Sequence, residues 1–339
     1  MCHRIRVGTS GIRATRAGDD PRHCVSSDRW DFRPAPPSYP GPVAAAVDPV
    51  SYLEAPEGWA RRAARGPGRF VTREVFTRPD GTEIVWNSRL HRKQAGPFDA
   101  GRGSTWWAPS ALGWWIGVLF AIGAACFTIG PFPGYADAVG TRADAITFFV
   151  GSIFFTTAAF LQYVQAVNAP RDLVMPLRKQ RLTIWAWEPG RIDWESTAVQ
   201  FVGTLFFNVT TFAAIDATLS THQANRVVWV PDAAGSVCFL VASWLAWTEV
   251  AHGSWAWDPS SLSWWISGLN MLGSIAFGVS AVAAFYVPTT GDMLNTRLVN
   301  LGTAIGGACF LVGAVLLLPE RTRLSSTSTA TALAPAPGD

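Results

Sequence analysis

The sequence from Trp255 to Phe277 reads WAWDPSSLSWWISGLNMLGSIAF, and its arrangement of tryptophan, proline, glycine and phenylalanine occurs twice earlier in the chain. The shared pattern is W-x-P-x4-W-x8-G-x3-F. Its copies start at Trp107, Trp187 and Trp257, so they are displaced by 80 and then by 70 residues, without a gap inside any copy. Five positions matched three times indicate an internal repeat rather than a bias of composition.

Each copy of the pattern leads into an apolar run, and a second apolar run follows it. A run of about 20 apolar residues is long enough to cross the ~30 Å hydrocarbon core of a bilayer as a helix. None of the six runs contains Lys or Arg. The runs are Ala111–Phe132, Ala145–Val167, Ser196–Ile215, Ala233–Ala251, Leu262–Val287 and Leu298–Leu318. The sequence therefore predicts an all-α membrane protein with six transmembrane helices.

The even-numbered runs carry a shorter pattern of their own, G-x3-F, which starts at Gly151, Gly235 and Gly306. Fourteen residues after each of these glycines stands a polar residue, and the three are Gln165, Glu249 and Glu320. The repeated unit is thus a two-helix hairpin that crosses the membrane twice, so all three units point the same way. We expect hairpins over residues 106–171, 172–253 and 254–323.

Composition and charge limit the class of protein. Of the 339 residues, 49% are apolar and only 15% are charged, whereas a soluble domain has about a quarter of its residues charged. Residues 1–105 contain 17 Lys and Arg against 11 Asp and Glu, and residues 106–339 contain 10 against 13. Five scattered cysteines are too few for a disulfide framework. These numbers exclude an ordinary soluble enzyme and favour a membrane protein with a basic N-terminal part.

Basic residues in the loops predict the orientation. The positive-inside rule counts Lys and Arg beside the spans, and here 11 lie on one side against 3 on the other. Both termini are therefore expected in the cytoplasm. Indole rings prefer the headgroup zone. The expected interfacial anchors are Trp107, Trp114, Trp187, Trp194, Trp257 and Trp264.

The polar segments outside the spans carry weaker signals. Residues 1–42 lack periodic apolar residues and are expected to be disordered, as is the Ser-, Thr-, Ala- and Pro-rich tail over 324–339. Between them, residues 43–105 form a small basic cytoplasmic segment, in which we expect a short helix over 48–66. Alternating residues on either side of Pro79-Asp80-Gly81 then predict a β-hairpin, because this turn sequence favours chain reversal.

A basic run, Ser88 to Lys93, follows the predicted hairpin. Its expected partners are the lipid bilayer and anionic lipid headgroups, at about 1 kcal/mol per charge. Nucleic acid is not an expected partner, because the run is short and tethered to the membrane. Protein partners and oligomeric state are not indicated by the sequence.

The two-helix unit resembles the YrhK-like membrane domain. The likeness lies in Phe148-Phe149-Val150-Gly151-Ser152 through Gln165, and in Pro79-Asp80-Gly81 through Lys93 ahead of it. The whole of 43–323 looks like the uncharacterised multi-pass membrane proteins of high-GC Gram-positive bacteria that carry this domain. The resemblance implies a plasma-membrane location and no activity, so it supplies no catalytic residue.

Polar residues inside or beside the spans are the candidates for function. The set is Gln165, Glu249, His252 and Glu320. Glu249 and His252 have the i, i+3 spacing of metal sites in helical bundles, but such sites need more carboxylates and usually a second His. We therefore expect a hydrogen-bonded pair there, and neither a metal, a cofactor nor a catalytic residue. The carboxylates are expected to stay hydrated at the cytoplasmic interface and to accept hydrogen bonds from the interfacial Trp N–H groups.

Three classes of function fit these features. The first is a non-catalytic integral membrane protein with a structural, assembly or interaction role. The second is a small-solute or ion transporter or channel with a pathway between the hairpins. The third, a lipid enzyme, is disfavoured because intramembrane charge is scarce and no catalytic motif is present. The sequence favours the first class over the second.

Overall fold

A computed structural model describes Ser51 and residues 53–94, 104–169 and 182–333, with side-chain surroundings in the last helix as far as Thr322. The predicted disordered segment 1–42 lies outside the described residues. The described chain is mainly helical, with one small β-sheet ahead of the long helices.

The sheet has three antiparallel strands in the order β1-β2-β3. The strands are β1 Ala60–Arg65, β2 Arg73–Thr77 and β3 Glu83–Asn87. Val75 pairs with Val85 across the hairpin, and Gly81 takes a φ of +83° in its turn, so the predicted hairpin is confirmed. The helix expected over 48–66 is wrong, because Ala60–Arg65 pairs with β2 instead.

The helices follow the sheet in chain order. They are α1 Ser88–Gln94, α2 Leu112–Ile129, α3 Pro133–Val139, α4 Thr141–Val167, α5 Ile192–Ala213, α6 Thr221–Ala224, α7 Val230–Ala251, α8 Leu262–Ala283 and α9 Thr296–Leu333. A π-helical turn, Asn225–Trp229, joins α6 to α7. Helix α9 continues to Leu333, into the segment predicted as a loose tail.

Six long helices pack as a closed ring. Each contacts two neighbours, in the order α2, α4, α5, α7, α8, α9 and back to α2. The N-terminal ends of α2, α5 and α8 lie at the same end of the ring as the C-terminal ends of α4, α7 and α9, because residues from all of these ends line one cavity together with α1. We call this end the α1 end.

Glycines allow the two helices of each hairpin to approach closely. A Cβ atom added at Gly123 would lie 2.7 Å from the carbonyl oxygen of Gly151. Added at Gly273 or Gly235, it would lie 3.1 Å from the carbonyl oxygen of the facing helix's glycine. Small residues at such crossings are typical of helix packing in lipid, where burial alone drives no association.

Among the described residues, five helices are long and apolar enough to cross a membrane: Leu112–Ile129, Thr141–Val167, Thr221–Ala251, Leu262–Ala283 and Thr296–Thr322. Helix α5 has 22 residues but is not one of the five, since Gln200, Asn208 and several threonines lower its mean hydropathy. Large apolar side chains are exposed on the outside of the ring, among them Val237, Leu272 and Val282. Exposed apolar surface of this extent marks contact with lipid or protein.

Candidate functional site: a polar cavity under a cationic helix

The short helix α1 lies across one end of the ring. It contacts α4, α7 and α9. A helix of seven residues is not stable by itself, so these contacts hold it in place. Arg89, Arg92 and Lys93 stand at i, i+3 and i+4, which puts them on one face of α1, and all three line the cavity inside the ring.

Glu249, near the end of α7, forms hydrogen bonds and an ion pair with two residues of α1. Its side chain is 1% exposed. Ser88 Oγ donates to Glu249 Oε1 at 2.6 Å, and Arg92 Nη2 donates to Oε2 at 3.3 Å. A buried carboxylate needs such partners, because an isolated charge out of water is very costly.

A second carboxylate lies on the other side of the same guanidinium. Asp193 Oδ2 is 3.9 Å from Arg92 Nη1, and it accepts a hydrogen bond from Arg191 Nη2 at 2.7 Å. Asp193 and Arg191 are both buried in the first turn of α5 and the loop before it. Arg191 is also paired with Glu188. Positive and negative groups therefore alternate around this part of the α1 end.

Glu320, in α9, forms ion pairs with two other residues of α1. Arg89 Nε donates to Glu320 Oε1 at 3.0 Å, and the Lys93 ammonium is paired with Oε2. Ser263 Oγ of α8 also donates to Oε1. Burial and the charge of Arg89 lower the pKa of Lys93 to about 7, against the opposing effect of Glu320. The side chain of Glu320 is 1% exposed.

The predicted set of polar residues thus has a different environment from the one expected. Hydrated carboxylates were expected, and this is wrong: Glu249 and Glu320 are buried and bound to α1. Gln165 stands at the corresponding position of α4, where it is half-buried and lines the cavity. The basic run predicted to contact lipid headgroups supplies the cations that meet these carboxylates.

His252 connects α7 to the sheet. It ends the helix in a left-handed conformation with a φ of 51°, and its Nδ1 lies 3.0 Å from Thr72 Oγ1. Burial, followed by the charges of Arg73 and Arg65, lowers the pKa of His252 to about 4. The expected Glu249–His252 pair is wrong, because each residue bonds to a different part of the N-terminal segment. Within the part of the chain that the structure describes, no group of three His, Cys, Asp or Glu side chains is placed to hold a metal ion.

The repeated tryptophans have equivalent contacts. The Nε1 atoms of Trp114, Trp194 and Trp264 each donate to the carbonyl oxygen of the residue eight positions earlier, at 2.9, 3.0 and 2.9 Å. The idea that Gln165 and the two carboxylates accept these N–H groups is therefore wrong. The exposed rings of Trp107, Trp187 and Trp257 pack edge-on against them. Anchoring of all six in a membrane interface stays a prediction.

A cavity of about 70 Å³ lies inside the ring, next to α1. Residues of all six long helices contribute to its wall. Its neutral polar side chains are Gln162, Gln165, Ser196, Gln200, Ser243, Ser267 and Asn270. Its cationic side chains are Arg89, Arg92, Lys93 and Arg321. No Asp or Glu of the described residues belongs to the wall.

Aromatic rings close the far side of this cavity. The phenylalanines that end the six G-x3-F patterns form one cluster, with ring centroids 5.1–6.1 Å apart in the contacting pairs. These residues are Phe127, Phe155, Phe207, Phe239, Phe277 and Phe310. Phe155 and Phe310 also belong to the cavity wall. A second space of about 20 Å³ borders the cluster beside Ser152 and Thr204.

Sequence reasoning missed the functional meaning of α1. The sequence predicts lipid contact for the run Ser88 to Lys93. In the structure, Ser88, Arg89, Arg92 and Lys93 bond to the carboxylates of α7 and α9, and the three cations line the cavity. A signal was present in the sequence: the six apolar runs contain no Lys or Arg, yet the second and third hairpins place a carboxylate at matching positions. A buried carboxylate requires a cation from elsewhere in the chain.

No protein-family model, curated protein or solved structure matches this chain, and the resemblance to YrhK-like proteins stays a prediction.

Proposed function

We propose that the protein is a multi-pass membrane protein whose six long helices enclose a pathway for a small solute, and that it acts as a channel or transporter. The observation that carries the proposal is the polar cavity inside the ring. The pathway is closed in this conformation by the phenylalanine cluster.

The cavity is costly for a protein with a purely structural role. Gln200 and Asn270 are half-buried in the wall. Their amides lose part of their hydration there, and this loss is unfavourable unless hydrogen bonds replace it. In membrane proteins, polar side chains that face a cavity mark solute and ion pathways. The phenylalanine cluster shows that the same ring can fill its interior with apolar side chains. The polar wall next to α1 is therefore best explained by a solute.

The phenylalanine cluster forms a hydrophobic constriction across the proposed pathway. Hydrophobic constrictions close pores because water is unstable between apolar walls. Phe155 belongs both to the cavity wall and to the cluster, where its ring contacts Phe127, Phe239 and Phe310. Movement of this one ring would connect the cavity with the space beside Ser152.

The proposal includes six spans and two cytoplasmic termini. Helix α5 is less apolar than the others, but it packs between α4 and α7 and completes the ring. The loop charge bias supports cytoplasmic termini, and the resemblance to YrhK-like proteins implies a plasma-membrane location. Three parallel hairpin repeats are supported by the equivalent bonds of Trp114, Trp194 and Trp264 and by the three glycine contacts.

Anionic lipid is proposed as a partner of the sheet rather than of α1. The cations of α1 are engaged by Glu249 and Glu320. The arginines of β1, which are Arg61, Arg62 and Arg65, are exposed, and of these Arg61 also pairs with Glu74. Exposed basic residues beside a membrane attract anionic headgroups.

Solute permeation in reconstituted liposomes tests the proposed pathway. The full-length protein would be compared with Phe155→Ala and with Phe212→Ala, which removes a ring that is 65% exposed on the outside. Permeation of urea, formamide and formate would be followed by light scattering after an osmotic step. We expect Phe155→Ala to permeate at least one of these solutes several-fold faster than Phe212→Ala and empty liposomes.

A structural protein would behave differently in this assay. If Phe155→Ala remained folded, as judged by tryptophan fluorescence, and yet matched Phe212→Ala for every solute, the pathway would be refuted. The non-catalytic structural or interaction role would then be the better account.

A further inference from the structure

The cavity wall carries charge of one sign. Arg89, Arg92 and Lys93 enter it from α1, and no Asp or Glu of the described residues belongs to it. The carboxylates that contact these cations are Glu249, Glu320 and Asp193, and none of the three belongs to the wall. A solute in the cavity therefore meets cations and neutral polar groups first.

Arg92 has one buried N–H donor without an acceptor among the described residues. Its side chain is only 3% exposed, and its Nη atoms bond to Glu249. Its Nε is buried, and none of the residues that the structure describes accepts a hydrogen bond from it. A guanidinium group stays charged and offers five N–H donors, so an unused buried donor is unfavourable until an acceptor arrives. Gln162, Gln200 and Asn270 add neutral amide donors to the same wall.

The size of the cavity limits the acceptor. A volume of about 70 Å³ holds several water molecules, since roughly 10–15 Å³ of such space is enough for one. It is too small for a nucleotide, a sugar or a lipid headgroup. A halide, or an oxyanion of three or four heavy atoms, has the right size and accepts hydrogen bonds from guanidinium and amide groups.

We infer that this cavity is a binding site for a small monovalent anion. The inference rests on the proposed function, because it names the class of solute for the same pathway. Anion binding can nevertheless be measured without solute permeation, so the anion site and the permeation pathway can be refuted separately.

Thermal unfolding of the purified full-length protein in detergent tests the site. A ligand that binds only the folded state raises its stability as the ligand concentration rises above Kd. The probes are sodium chloride, sodium nitrate and sodium formate, with sodium gluconate at equal ionic strength as the anion that is too large. We expect at least one small anion to raise the Tm in a saturable way, relative to gluconate.

Substitutions in the cavity wall test whether the anion binds there. Gln200→Leu removes an amide from the wall without touching an ion pair, and we expect it to raise the apparent Kd at least threefold. Val202→Leu is the matched control, because Val202 lies on the same helix and is exposed on the outside of the ring. The double variant Arg92→Gln with Glu249→Gln keeps the local charge balanced and should raise the apparent Kd at least tenfold. Gln200→Leu keeps the test decisive if the double variant does not fold.

Two results would overturn the assignment. One is a wild-type Tm that is the same in small anions and in gluconate. The other is equal binding by Gln200→Leu and Val202→Leu, which would place the anion outside the cavity. Saturable binding without permeation by Phe155→Ala would contradict the pathway and leave the anion site standing.

Discussion

At the scale of single residues, the orientation of α1 depends on which helix ends carry a carboxylate. Glu249 faces Ser88 and Arg92, whereas Glu320 faces Arg89 and Lys93. The equivalent position of α4 holds Gln165, which has no charge to offer. A ring with three alike hairpins would accept α1 in three orientations, and the two carboxylates with one amide favour a single one.

We predict that Glu249→Gln destabilises the protein by about 3 kcal/mol. Removing one member of a buried pair typically costs 3–5 kcal/mol, and the low end applies because Asp193 remains 3.9 Å from Arg92. Thermal unfolding in detergent would be compared with Glu57→Gln, at an exposed position. The double variant Arg92→Gln with Glu249→Gln should lose less than Glu249→Gln alone. Equal stability of Glu249→Gln and Glu57→Gln would contradict the buried network.

The lowered pKa of His252 predicts that the stability of the folded protein decreases as the pH falls. Its pKa is about 4 in the folded protein against an ordinary value of 6.5. Between these values the unfolded chain binds more protons, so stability is complete above about pH 6.5 and falls as the pH drops toward 4. We expect His252→Gln to lose less stability than the wild type between pH 7 and pH 4.5. The same loss in both proteins would show that His252 does not link the sheet to α7 in its neutral form.

At the scale of elements, each hairpin depends on a close helix crossing. The crossing of α2 and α4 is the tightest of the three, since a Cβ at Gly123 would lie 2.7 Å from the carbonyl oxygen of Gly151. The atom in the way belongs to the backbone, so it cannot be relieved by a rotamer change. The helices must separate if a larger residue is introduced.

We predict that Gly123→Ala destabilises the protein by about 1–3 kcal/mol, the usual cost of overpacking. Gly134→Ala is the control, because a Cβ there meets no atom within 4 Å. It should leave stability unchanged or slightly raised. Both variants would be measured by thermal unfolding at the same detergent concentration. A Gly123→Ala variant as stable as Gly134→Ala would show that the crossing is looser than described.

Elements with a local signal could be predicted from the sequence, and those that depend on distant partners could not. Pro79-Asp80-Gly81 specifies its own turn, and the apolar runs predict the ends of their helices within a few residues, except that α9 continues past its run to Leu333. Strand β1 has no such signal, because Ala60–Arg65 is rich in Arg and Ala and is a strand only by pairing with β2. The burial of Arg92 likewise requires Glu249, which is 157 residues away in the chain. The polar cavity follows from the ring as a whole, which no single run predicts.

At the scale of the whole molecule, the central claim is that all six helices of the ring cross the membrane and enclose the polar cavity. Helix α5 is the test case, because it belongs to the ring but is not among the five apolar helices. Its Gln200 and Ser196 line the cavity, and its Asn208 accepts a hydrogen bond from Thr156 of α4. These polar residues of α5 therefore face the ring rather than the lipid. Composition alone therefore underestimates the capacity of this helix to span.

The number of spans decides on which side of the membrane the C-terminus lies. Six spans place both termini on the same side, and five place them on opposite sides. The measurement is a set of reporter fusions at Asp339, in the 216–220 loop after α5 and ahead of α2, using one reporter active only in the cytoplasm and one active only after export. We predict cytoplasmic activity at Asp339 and ahead of α2, with exported activity after α5. Exported activity at Asp339 and cytoplasmic activity both ahead of α2 and after α5 would show that α5 does not cross, and would contradict the six-helix pathway.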